Sequence, residues 1–191
     1  SSFENMGASR ESALTIFGEP AFFTLFDVIA YMTTADNFVQ FFEFSKLANS
    51  SFDGLIIIMI SAAFFIMLIV ESCRVPFDDP NTHLELTMIH EVMILDNSGV
   101  NLAIMQYAAN LKMTIFAAII SNFITPASLS NLQYLVVFTV IIFICAIIVG
   151  AIESLEARMR LAFNQQLTMS ALAIAVFVCA LTIIKYSGGL Q

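Results

Sequence analysis

The sequence predicts an all-α integral membrane protein, a single transmembrane helical domain over residues 1–191 with about five spans, and three observations carry that prediction. First, 59% of the 191 residues are hydrophobic, only 12% are charged and 19 are Phe. The mean hydropathy is +0.89, and a soluble domain of this length has no interior large enough to hide so much apolar surface. Second, the apolar residues gather into five windows, each close to the ~20 helical residues that cross a hydrocarbon core about 30 Å thick. Third, apolarity within the windows is continuous, whereas a membrane barrel strand alternates, so strands are excluded as the spanning elements.

The first window, 13–32, contains Glu19, Pro20 and Asp27. Eight positions put the two carboxylates about 80° apart around the axis and roughly 12 Å apart along it, with Phe23 between them. Pro20 removes one backbone hydrogen bond, which predicts a bend with room for water beside Glu19. Asp27 either shares the inward face or snorkels toward the far interface. After this window, residues 36–51 place Phe38, Phe41, Phe42 and Phe44 among polar residues, the pattern of an interfacial helix.

The second window, 55–70, is short, so its ends reach the interfaces through Asp53 and Glu71. A charged loop and helix follow over 71–97. Pro76 and Pro80 forbid a helix through the turn between them. Thr82 and Glu85 form a capping box, predicting a helix over 83–95 that stops near Asn97, Ser98 and Gly99. The third window, 102–120, carries Gln106 and Asn110 on one face together with Lys112, a base that has to be paired or able to discharge when buried. The available partners are Glu19, Glu85, Glu91 or a carboxylate from a neighbouring polypeptide. The fourth and fifth windows, 134–152 and 167–184, flank a short turn in which Glu156 and Arg160 make an ordinary i, i+4 pair.

If the spans alternate, Arg10, Arg74, Arg158 and Arg160 fall on one side and Lys46 and Lys185 on the other. The positive-inside rule then predicts a multi-pass protein of the inner (cytoplasmic) membrane with the 71–99 loop in the cytoplasm. The net charge of -8 arises from acids in or beside apolar runs and makes nucleic acid an improbable partner. Cys73, Cys145 and Cys179 have no C-x-x-C spacing and no H-E-x-x-H pattern occurs, so no metal site is expected in this chain. The stretch from Ser1 resembles no signal peptide, and the chain is expected to be the interior of a longer polypeptide.

Ionisable groups within a membrane are costly and are functional candidates by default. Glu19, Asp27, Glu71, Glu85, Glu91 and Lys112 are therefore the candidate ion-path and coupling residues. Glu85 also has a capping role open to it. Arg10, Arg74, Asp78, Asp79, His83 and His90 are the candidate docking residues, with Arg74 expected to meet a carboxylate of a peripheral arm. The two histidines either handle protons or partner neighbouring carboxylates. No catalytic residue is expected.

The run Glu71, Arg74, Pro76, Phe77, Asp78 resembles the E-x-x-R-x-P-F-D signature of the mitochondrial subunit 1 family of respiratory complex I. The continuation DDPNTHLELTMIHEVMILDNSG is most similar to the corresponding membrane component of formate hydrogenlyase and hydrogenase 4, in the group 4 membrane-bound nickel-iron hydrogenases. GASRESALTIFGEP resembles the segment that opens a helix in the same family. The likeness implies the C-terminal part of an eight-helix subunit, with its first three helices outside this chain. It implies a non-catalytic membrane subunit of an oxidoreductase complex, linking a redox arm to a chain of membrane carboxylates. The nickel-iron centre and iron-sulfur clusters would lie in partners: hydrogenase large and small subunits, an iron-sulfur subunit and antiporter-like membrane subunits. Where the complex I branch has a glutamate before tyrosine, this chain has Met105, Gln106 and Tyr107. That departure argues against quinone as substrate and gives Lys112 a part in the wiring. The expected function is a membrane anchor that docks the arm and moves protons or sodium ions. A quinone-site subunit and a stand-alone secondary transporter are the alternatives.

Overall fold

The protein is described by a computed structural model covering residues 2–34, 37, 40, 51–72, 94, 97–126, 129–155 and 161–188. Helices α1 (Ser2–Thr33), α2 (Ser51–Glu71), α3 (Val100–Ile124), α4 (Asn131–Leu155) and α5 (Leu161–Gly188) take up the five apolar windows. Each holds a stretch long and apolar enough to cross a membrane: Thr15–Thr33, Phe52–Glu71, Val100–Ile124, Asn131–Leu155 and Gln165–Ser187. The chain is an all-α, multi-pass membrane protein. The helices overrun the windows at both ends, taking in polar residues such as Asn101 and Asn131.

Packing along the chain is out of sequence order. Helix α5 lies along both α1 and α2, α2 lies along α3, and α4 packs chiefly on α3. The helices thus follow one another in space as α1, α5, α2, α3, α4. Helix α2 is central because its buried residues Ile56, Ile60, Phe64 and Leu68 recur every four positions, with Ala63 and Met67 beside them. Ala21 on α1 and Ala171 and Ala175 on α5 are also buried, and small side chains let helix backbones approach where no water is expelled. An aromatic cluster fills the middle. Phe64 meets Phe22, Phe26, Phe116 and Phe123 at ring-centroid distances of 6.2, 5.9, 6.4 and 5.6 Å.

Three buried hydroxyls are satisfied by carbonyls of their own helices, as a hydrocarbon setting favours, whereas Ser61 Oγ is buried without a partner among the described residues. Thr182 donates to the Cys179 carbonyl at 2.7 Å, Thr125 to that of Ser121 at 2.7 Å and Ser72 to that of Leu68 at 2.6 Å. Ser121 instead reaches across to α4 and donates to the Phe138 carbonyl at 2.7 Å. Beside it, Asn122 donates to the Tyr134 hydroxyl at 2.9 Å, so two polar contacts tie α3 to α4 where the short connection turns. Helix α1 runs unbroken through Pro20. Gly99, with φ 60°, immediately precedes α3 in a conformation that glycine reaches without steric cost.

A pocket beside Glu71 and a clasp at the other end of the helix

Helices α1 and α3 meet through Phe22 and Phe116, whose rings lie 6.0 Å apart. On the Glu71 side of that contact a pocket of about 480 Å³ opens between them. Helix α1 supplies Glu11, Thr15, Gly18, Glu19, Phe22 and Phe23. Helix α2 supplies Met67 and Glu71, and α3 supplies Lys112 and Phe116. Glu11, Thr15, Gly18 and Phe22 are spaced by four, three and four, so they form a single stripe along α1.

The pocket holds an ion pair. Lys112 Nζ lies 3.6 Å from Glu71 Oε2, with the lysine side chain 50% exposed and the glutamate 21%. The contact is long for an ion pair, and the lysine is half exposed. Gly18 lies against the Glu71 carboxylate: a Cβ there would stand 3.7 Å from Glu71 Oε1, an ordinary contact, so a side chain longer than alanine's would compete for the carboxylate's space. Two further carboxylates, Glu11 and Glu19, line the same pocket as this ion pair. Among the described residues no group of three or more His, Cys, Asp or Glu side chains is arranged to hold a metal ion.

At the opposite end of α2, Asp53 is 5% exposed and accepts a hydrogen bond from Lys185 of α5. The lysine sits between the rings of Phe52, 5.8 Å away, and Tyr186, 5.4 Å away. Tyr186 in turn meets Tyr31 of α1 edge-on at 5.6 Å. This clasp joins α1, α2 and α5.

Of the candidate residues, Glu19, Glu71 and Lys112 meet in the pocket. Asp27 does not line it and lies farther along α1 on the exposed side. Arg10 accompanies the pocket's α1 wall one residue before Glu11 and donates to Met6 Sδ at 3.5 Å. Arg74, Asp78, Asp79, His83, Glu85, His90 and Glu91 lie outside the described residues, as do the Thr82 cap, Phe38, Phe41, Phe42, Phe44 and Lys46 of the interfacial helix, and the Glu156–Arg160 pair. Among the described residues Lys112 pairs with Glu71 rather than Glu19; Glu85 and Glu91, the other acids of this chain named as partners, lie outside the described residues. Helical periodicity fixes which face a residue occupies but not its depth against a neighbour, and α1 and α3 both run on past the end of α2, bringing Glu71 level with mid-α3. Sequence reasoning also missed Glu11 and the Asp53–Lys185 pair. The α1 stripe spacing was a signal for the former. For the latter, the signal was an acid and a base at matching ends of oppositely running helices.

The family model described as NADH dehydrogenase matches residues 1–184. No curated protein and no solved structure matches the chain.

Proposed function

This chain belongs to the NADH dehydrogenase family, and from that membership we propose that it is a membrane subunit of a complex I-like oxidoreductase, coupling electron transfer in partner subunits to ion movement. The observation that carries the coupling is the Glu71–Lys112 contact inside a pocket whose other ionisable groups, Glu11 and Glu19, are acids. In this reading Lys112 is the switchable charge. When Glu71 gains a proton the ammonium moves toward Glu19, and the return step passes the proton onward. The pocket opens on the cytoplasmic side, next to the 71–99 loop that docks the redox arm. The motif run from Glu71 to Asp78 and its continuation favour an arm of the group 4 hydrogenase type, with its nickel-iron and iron-sulfur groups held by the partners.

Reconstituted vesicles holding the whole complex test the proposal. Redox-linked uptake of protons or sodium ions should be lost in Glu71→Gln and Lys112→Met complexes that assemble normally. Full uptake in both variants would refute the coupling role, and co-purification of the nickel-iron subunit decides the hydrogenase assignment.

The aromatic and thioether lining of Phe22, Phe23, Met67 and Phe116 favours a second reading, a subunit that handles quinone. Electron transfer that requires added quinone and slows in Phe116→Ala would select it over the first.

A further inference from the structure

Helix α1 presents Ile16, Glu19, Pro20, Phe23, Asp27 and Ala30 on its exposed side. Positions 16, 20, 23, 27 and 30 alternate steps of four and three, the spacing that keeps a seam turned toward one neighbouring helix. Glu19 and Asp27 both fall inside the Thr15–Thr33 span. Neither makes a hydrogen bond or ion pair among the described residues. Pro20 lies on the same side and has no N–H, so the Ile16 carbonyl loses its intrahelical donor there. The seam is therefore a row of acceptors at membrane depth.

Not every exposed face is of this kind. The outward side of α4 carries Leu135, Val136, Val140, Phe143, Ile144 and Ile147, and its one hydroxyl among them, Thr139, donates to the Leu135 carbonyl at 2.8 Å. That face suits lipid, and the α1 seam does not, because carboxylates and a free carbonyl have no donor in hydrocarbon. Lys112 and Lys185 are already engaged with Glu71 and Asp53.

From charge complementarity, and resting on the reading of this chain as a subunit of a membrane complex, we infer that the α1 seam is the docking surface for a transmembrane helix of another polypeptide bearing a basic side chain toward Asp27. That helix packs on Phe23 and Ala30, and its donors serve Asp27 and the Ile16 carbonyl. Glu19 sits at the border between this seam and the pocket.

The assembled complex provides the test. Phe23 is replaced by the photo-crosslinker p-benzoylphenylalanine, with Ile147 replaced likewise as the lipid-facing control. Irradiation should join position 23 to a distinct membrane polypeptide at a helix with Lys or Arg within one turn of the site, whereas position 147 yields lipid adducts. Asp27→Lys should lower the yield of that polypeptide in the purified complex roughly tenfold, Asp27→Asn should lower it less, and exchanging the partner's base for Asp should restore it beside Asp27→Lys. Lipid adducts at position 23, a crosslink to this same chain or to a second copy, or a partner helix without a base would each overturn the inference. A complex that keeps its partners but shows one of these results leaves the subunit reading standing. A chain that purifies alone removes both.

Discussion

Asp53 and Glu71 bracket α2, and each pairs with a lysine from a different neighbouring helix: Asp53 with Lys185 of α5, Glu71 with Lys112 of α3. Eighteen residues of helix separate them, about 27 Å at 1.5 Å per residue. The pairs differ in setting. Lys185 is 17% exposed and flanked by two rings, whereas half of Lys112 is open. The first pair is suited to holding helices together and the second to changing partners.

Lys185→Met should destabilise the protein by about 3–5 kcal/mol, because it strands a buried carboxylate. Combining it with Asp53→Asn should cost less than the sum of the single changes. Thermal unfolding of the four proteins in detergent measures the coupling, and additive losses would show that the pair contributes nothing as a pair.

Lys112→Met should separate stability from function in the opposite way. Its pair is half solvated, so the loss of stability should stay within about 1 kcal/mol. Redox-linked ion uptake should fall by roughly tenfold or more once no ammonium faces Glu71. Lys112→Arg, which fixes the charge, should slow uptake and electron transfer together. Initial rates in vesicles, read beside melting temperatures, check both halves.

Phe64 is fully buried at the centre of the aromatic cluster. Phe64→Ala should cost about 3–5 kcal/mol through lost burial and a residual cavity. Phe64→Leu should cost distinctly less. Equal midpoints for the two variants in denaturant would mean that the cluster relaxes around the gap.

Gly18 gives a graded probe of the pocket. A Cβ at this position meets Glu71 Oε1 at an ordinary contact distance of 3.7 Å, so Gly18→Ala should assemble and retain uptake. Gly18→Leu should push the carboxylate away from Lys112 and abolish uptake while the complex still assembles. Loss of assembly in the alanine variant would show that the close approach of α1 to α2 there is structural.

The spans were legible because hydrocarbon imposes a long, unbroken apolar run, and the run survives in the sequence whatever the helix packs against. Glu19, Glu71 and Lys112 stood out for the same reason, as charges where charges are costly. Their meeting was not legible. Which acid reaches Lys112 depends on how far α1 and α3 continue beyond the end of α2, and that offset is set by packing of Phe22, Phe64 and Phe116 rather than by any local pattern. Asp53 and Lys185 each read as an interfacial charge because a residue at the end of a span looks the same whether it ends in water or against a neighbour.

The aromatic cluster between the pocket and the clasp has an electrical meaning. Leu25, Ile29, Ile56, Ile60 and Phe64 are fully buried in that region, so it is an apolar, weakly polarisable slab, while the pocket on one side of it is lined by three carboxylates and an ammonium group. In a membrane carrying a voltage, the drop concentrates across the slab, as in the dielectric of a capacitor. On the proposed coupling role, an ion reaching Glu71 from the open side would cross little of the field, and the full crossing, worth about 2.3 kcal/mol per charge at 100 mV, would remain to be made.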